Sequence, residues 1–194
     1  DGQPYLYTQL EAADARRVAS SLPPGHEPVA DALADAARRA GEIASDLDAG
    51  PAIRVHGDLH LGQTLVGPDG WTVIDWEGEP SRSLAERRVH QPALRDVAGL
   101  LRSLSYAAAT ASRTTGHWTP DGWVGAARAA VLDGYLAAAD GALLPAGARA
   151  TAALVDLLEI EKLVYEVGYE ATNRPGWLDI PVADLLRTIG RPTA

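Results

Sequence analysis

Two short apolar runs, Thr64-Leu65-Val66 and Trp71-Thr72-Val73-Ile74, are separated only by Gly67-Pro68-Asp69-Gly70. Runs rich in β-branched and aromatic residues read as strands, and a link of this composition between them reads as a tight turn. Such strands run antiparallel, so whatever precedes the first lies beside whatever follows the second. Gln63 precedes the first and Asp75 follows the second. Upstream, Arg54-Val55 breaks into the polar tip His56-Gly57-Asp58-Leu59-His60-Leu61-Gly62, which delivers Asp58 to the same end. Asp58, Gln63 and Asp75 thus converge without any assumption about long-range topology.

Transfer of a phosphoryl group to a hydroxyl needs a set of this kind. One carboxylate orients the acceptor hydroxyl or takes its proton, while an amide and a second carboxylate hold Mg²⁺ against the phosphates of ATP. Protein kinases place an Asn five residues after the Asp of H-R-D, and a further Asp after a later strand. Here Gln63 lies five residues after Asp58, and Asp75 ends a strand-like run. Asp58 is therefore the candidate catalytic residue, and Gln63 and Asp75 are the candidate metal ligands. Glu77, two residues beyond Asp75, reads equally as a solvated loop charge or as a partner to metal-bound water. His60 is left open, a metal-ligand role being the lesser reading.

His56-Gly57-Asp58-Leu59-His60 followed by Ile74-Asp75-Trp76-Glu77 resembles the small-molecule kinases of the aminoglycoside phosphotransferase and choline kinase type, with Leu61-Gly62-Gln63 where Pro-Gly-Asn is commoner. Three later stretches narrow the resemblance. They are Glu77-Gly78-Glu79-Pro80 leading to Leu84-Ala85-Glu86-Arg87-Arg88, then Pro92 to Ser103, then Glu161-Lys162-Leu163-Val164-Tyr165-Glu166-Val167-Gly168-Tyr169-Glu170 running on to Trp177. Together they are similar to the actinobacterial maltokinases and glucosamine kinases, over roughly residues 50–190. The resemblance implies an α+β, mainly helical fold, the C-terminal lobe of a protein-kinase-like architecture with a small β ribbon. It places the catalytic loop and metal site at 54–80 and a helical, substrate-binding part at 93–190 of a single lobe spanning 1–194. It implies supporting roles for His56, as a buried brace of the loop, and for Asp96, as an acceptor for the loop backbone. It also implies ATP and Mg²⁺ as cofactors, a sugar acceptor and a cytoplasmic location. The acceptor it implies is maltose, giving maltose 1-phosphate in α-glucan metabolism, with glucosamine giving glucosamine 6-phosphate as the alternative. Association with a trehalose- or maltose-converting enzyme goes with the maltose reading.

Composition limits the other classes. The net charge of −9 over 194 residues is the wrong sign for a nucleic-acid surface. No apolar run reaches membrane-spanning length, and the absence of cysteine excludes disulfides and thiolate metal sites. Gly57-Asp58-Leu59-His60 is also compatible with a binuclear metallophosphoesterase. That chemistry needs several His and Asp ligands, and the five histidines, at 26, 56, 60, 90 and 117, form no second cluster. Lys162 is the only lysine and methionine is absent. A kinase of this type grips the α/β-phosphates with a strand lysine and a phosphate-covering loop, and neither is visible before residue 50. The expectation is a fragment lacking an N-terminal lobe, with most nucleotide-binding residues outside it and negligible activity alone. A kinase-like binding module without catalysis is the other alternative.

Apolar periodicity predicts helices over 4–21, 29–47, 94–108, about 121–139, 145–172, and a short last one from Pro181. Residues 76–92 read as a functional loop. Near the C-terminus, Glu161, Tyr165 and Tyr169 fall on one helix face, with Lys162, Glu166 and Glu170 on the adjacent stripe. An exposed helix stitched by i,i+4 ion pairs explains this pattern. So does a sugar site, in which Glu161, Lys162, Tyr165, Glu166 and Trp177 supply hydroxyl partners and a flat apolar plate.

Overall fold

The computed structural model describes residues 12–80, 82–116 and 122–190. In chain order the elements are α1 (Ala12–Ser20), α2 (Glu27–Ser45), β1 (Ala52–Ile53), β2 (Thr64–Gly67), β3 (Gly70–Val73), α3 (Leu84–Arg87), β4 (Gln91–Pro92), α4 (Leu94–Thr115), α5 (Trp123–Ala138), α6 (Ala148–Asn173) and α7 (Asp179–Ile189). Short 3₁₀ turns cover Leu61–Gln63, Gly141–Leu143 and Pro175–Trp177. The fold is mainly helical with a small β ribbon, as expected, and it holds a second two-stranded ribbon, β1 with β4, that was not expected. The predicted helix residues 4–11 and 121 lie outside the described residues.

The chain divides into two units, one made of Asp1–Ala49 with Ala146–Ala194 and the other of Gly50–Pro145. In the first, α1, α2, α6 and α7 pack on one another. Val29, Ala32, Leu33, Ala36, Ala37 and Ala40 recur at three- and four-residue steps, so α2 presents one apolar stripe. That stripe forms a continuous core with Leu157, Ile160, Leu163, Val164 and Val167 of α6 and Leu185 of α7. The stripe is mostly alanine, which lets helix axes approach closely. Gly168 extends the principle: a Cβ there would lie 3.1 Å from Val18 Cγ2, so α1 packs against bare α6 backbone.

In the second unit the predicted hairpin is present. β2 and β3 pair with Thr64 opposite Val73 and Gly67 opposite Gly70, so Pro68-Asp69 is a two-residue turn. β1 pairs antiparallel with β4, Ala52 opposite Pro92 and Ile53 opposite Gln91. From there the chain turns directly into α4, whose buried Leu94, Val97, Ala98, Leu101, Leu104 and Ala108 follow the helical period. Gly116, at φ 67°, ends it in the left-handed conformation. α5 packs on α4.

The segment 76–92, expected to be irregular, holds α3 and β4. Ser83-Leu84-Ala85-Glu86 is a capping box: Ser83 Oγ accepts from the Glu86 N–H, and the Glu86 carboxylate accepts from the Ser83 N–H at 2.8 Å. Its signature stood in the sequence and was masked by the prolines and charges around it. β4 gave no signal, being only two residues long. Among the described residues, no helix is long and apolar enough to cross a membrane.

The hydrogen bonds from Ser83, side chain before backbone, hold the Glu86 carboxyl below its ordinary value. A depressed carboxylate stabilises the fold above the unfolded-state value and loses that contribution as pH falls through the folded one. The α3 cap should therefore persist on acidification past the point where ordinary glutamates protonate, then open. A carboxyl NMR titration of Glu86 with an ordinary or raised midpoint would contradict this.

Candidate active site

The loop after β1 is organised by one buried imidazole. His56 is 2 % exposed. Its Nε2 donates to the Ile74 carbonyl at 2.8 Å, so Nδ1 carries no proton and accepts from the Asp58 N–H at 3.3 Å. One ring thus ties the backbone of Asp58 to the residue just before Asp75. The Trp76 ring lies against it, centroid to centroid 5.3 Å.

Two backbone N–H groups of the loop are held from below. His56 N and Gly57 N donate to Asp96 Oδ2 at 2.7 Å and Oδ1 at 2.9 Å. Both carboxylate oxygens of Asp96 accept from the loop backbone. Asp96 sits in the first turn of α4, so the helix dipole also favours its charge. The same carboxylate, after burial, contributes to holding the Tyr135 phenol of α5 above its ordinary value.

Further along α4, Ser103 Oγ donates to Leu100 O at 2.6 Å and accepts from Leu61 N at 3.1 Å. Between these anchors lies Gly99, where a Cβ would stand well inside contact with the Leu59 carbonyl oxygen. Asp96, Gly99 and Ser103 are spaced i, i+3, i+7 and form one helix face that carries the loop. The sequence reading missed Gly99 and Ser103. Their spacing relative to Asp96 was visible, but nothing in it named the loop as the partner.

The hairpin does what its turn predicted. Ile74 N donates to Gln63 O at 2.9 Å, extending the ladder by one residue. Gln63 Nε2 donates to Asp75 Oδ2 at 3.0 Å. Asp75 has φ 62°, alone among the described non-glycine residues in having a positive φ. Asp tolerates that left-handed conformation better than most residues, and residues held in it cluster at functional sites. Gly57 and Gly78, at φ 83° and 79°, bring the two loops together backbone to backbone: a Cβ on Gly78 would lie 3.2 Å from His56 O. Asp75 and Glu77 are exposed, and Asp58 and Gln63 partly so. Arg87 closes the loop beyond Glu77, its Nε donating to Arg82 O at 2.9 Å.

The donor set suits a hard cation. An amide that donates through Nε2 keeps its oxygen as a ligand, and Asp75 retains free lone pairs. Among the described residues no group of three or more His, Asp, Glu or Cys gathers. Mg²⁺ does not need one, because it keeps waters and substrate phosphates beside one or two protein oxygens.

The residues predicted for a sugar lie in the other unit, on α6 and the turn after it. Tyr165 and Tyr169 are exposed and stacked, centroids 6.2 Å apart. Lys162 Nζ lies 5.3 Å from the Tyr165 ring. Arg174 lies 5.4 Å from the Tyr169 ring and 5.7 Å from that of Trp177. Lys162, Tyr165, Tyr169, Arg174 and Trp177 thus form one row, with Glu161 partly exposed at its start. Glu166 and Glu170 do not share that exposure, being 8 % and 1 % exposed. Glu170 is held by a forked pair with Arg174, 2.9 and 2.5 Å, which is how a carboxylate is tolerated in a core. Arg174, read in the sequence only as part of a helix stop, links the buried carboxylate to the exposed rings.

An Asp on a His-braced loop, with an amide–carboxylate pair across a hairpin, is an arrangement compatible with phosphoryl transfer. Comparison with known proteins agrees. Residues 1–142 match the family model of the phosphotransferase enzyme family (APH), and the chain belongs to that family. It is 32 % identical over 163 residues to a glucosamine kinase of Streptacidiphilus jiangxiensis, covering 77 % of this chain and 36 % of that protein. It is 31 % identical over 142 residues to a glucosamine kinase of Mycolicibacterium smegmatis, covering 72 % and 35 %. A solved glucosamine kinase in complex with glucosamine, ADP and inorganic phosphate superimposes with a TM-score of 0.76 at 27 % identity, over 91 % of this chain and 45 % of that one. The chain thus spans little more than a third of the length of the curated relatives it matches.

Gly99→Ala should separate α4 from the loop and destabilise the chain by about 1–3 kcal/mol, the usual cost of overpacking. Gly125→Ala and Gly134→Ala on α5 are the controls. A Cβ at either meets nothing within 4 Å, so each should be neutral or stabilising by up to about 1 kcal/mol. Urea midpoints that fail to separate Gly99 from the two controls would contradict the close approach.

Proposed function

We propose that this chain carries the phosphoryl-transfer residues of an ATP-dependent sugar kinase. The observation that carries the reading is the Gln63–Asp75 contact, held against the Asp58 loop by the two nitrogens of His56. Asp58 orients the acceptor hydroxyl and takes its proton as the oxygen attacks the γ-phosphorus, whose bond to the β,γ-bridging oxygen breaks to release ADP. A loose transition state asks mainly for positioning, so Asp58 has no need to be a strong base. Gln63 and Asp75 would hold Mg²⁺, which when bound would neutralise charge on the phosphates. Glu77, two residues beyond Asp75 and exposed, would serve as a partner for metal-bound water, and the single-lobe organisation of 1–194, with its substrate part at 93–190, belongs to the same proposal.

Glucosamine is placed ahead of maltose as the acceptor, because the relatives are glucosamine kinases. No observation on this structure favours maltose. The row formed by Glu161, Lys162 and Tyr165 of α6 and Trp177 of the turn after it offers the aromatic and charged groups a sugar ring uses, whereas the buried Glu166 is not part of that surface.

In a polypeptide that combines this chain with a phosphate-gripping lobe, Asp58→Ala should lower kcat by about 10²–10⁴, the range for losing a general base. Tyr165→Ala or Trp177→Ala should chiefly raise the sugar KM, since flat contacts bind ground and transition states alike. Glucosamine should exceed maltose by at least about tenfold in kcat/KM, about 1.4 kcal/mol; the reverse preference moves the assignment to maltose.

The 194 residues by themselves should give negligible turnover, because Lys162 is their only lysine and no lysine precedes the catalytic loop to grip the phosphates. Robust ADP release from the chain alone would refute this.

A further inference from the structure

We infer that His60 is a positioning residue: its ring caps the 3₁₀ turn Leu61–Gln63 and so aims the Gln63 amide at Asp75, and Gly62 is glycine to make room for that ring. His60 has extended backbone, φ −152° and ψ 171°, at the head of the turn, and its Nδ1 accepts from Gly62 N at 3.0 Å. This is the side-chain-to-backbone bond, two residues on, that Asn and Asp make in an Asx turn. The next residue is drawn in by the same group, since Gln63 N donates to His60 O at 2.9 Å. On the far side Thr64 Oγ1 donates to Leu61 O at 2.7 Å, and Ser103 holds Leu61 N. The turn is pinned at every residue, and His60 supplies the pin nearest Gln63.

Gly62 supports the assignment independently. Its backbone does not lie in the left-handed region, so its conformation does not require glycine. A Cβ there would stand 2.7 Å from His60 Cε1 and 2.9 Å from Nδ1, with Nε2 next at 4.0 Å. All three nearest atoms belong to one ring. An alanine would drive the imidazole off the N–H it caps, so Gly62→Ala and His60→Ala remove the same interaction by different routes. The sequence pattern His60-Leu61-Gly62-Gln63 is then one device: cap, spacer, clearance and ligand.

The metal role of Gln63 on which this rests is the proposed one above, and the experiment separates the two. In this chain, the thermal midpoints of His60→Ala, Gly62→Ala and the double variant should be non-additive, the double variant falling no further than His60→Ala alone. In parallel, Mn²⁺ binding is followed by EPR as a probe of the Mg²⁺ site. His60→Ala should weaken it about fivefold, the usual scale for a lost cap. His60→Asn should restore it, because an amide oxygen reaches the same N–H, and His60→Phe should not. Additive midpoints would show that no shared cap exists and overturn the inference. Full Mn²⁺ affinity in His60→Ala, with affinity lost in Gln63→Ala, would leave the cap purely structural and also overturn it. Unchanged affinity in Gln63→Ala would instead defeat the metal reading of Gln63, and the positioning role with it.

Discussion

The site depends on the His56 imidazole using both of its nitrogens at once. With Nε2 on the Ile74 carbonyl and Nδ1 on the Asp58 N–H, the ring joins two chain segments that have no ladder of their own at that point. Burial of the ring strengthens both bonds, because water has little access to the imidazole. It also makes the tie specific to the tautomer: the neutral ring with its proton on Nε2 satisfies both bonds. Removing the ring would take away the partners of the Ile74 carbonyl and the Asp58 N–H together.

Helix α4 supplies the second constraint. The loop 56–61 contains no regular secondary structure before its 3₁₀ turn, so its N–H groups need partners from elsewhere. Asp96 takes two of them and Ser103 a third. Gly99 lets the helix backbone come close enough for both side chains to reach. A loop held this way has little freedom to lose when substrate binds, which is what positioning chemistry requires.

The C-terminal helix divides its polar residues by burial rather than by the stripes seen in the sequence. Tyr165 and Tyr169 share one face, as their spacing suggested, and that face is exposed. Glu166 and Glu170, four residues apart like the tyrosines, point into the core side of α6. Arg174 reconciles the two, its fork on Glu170 and its face toward Tyr169 and Trp177. An acidic stripe that looks like a solvated face is therefore partly an internal ion pair. Helical periodicity says which residues share a face, but only the neighbouring helices say which face is wet.

Short-range physics made much of this protein readable from its residues. The Gly67–Gly70 turn determined the hairpin, the hairpin determined that Gln63 meets Asp75, and apolar periodicity determined α2, α4 and α6. These are contacts within a few residues of one another, where propensity and chain connectivity decide. The capping box at Ser83–Glu86 belonged to the same class and was overlooked. Tertiary structure alone decided the rest. That His56 reaches Ile74, that Gly99 is bare because Leu59 O lies against it, and that Glu170 is buried all follow from elements far apart in the chain. Packing determines which of the many chemically possible partners is within 3 Å, and sequence spacing carries no information about that distance.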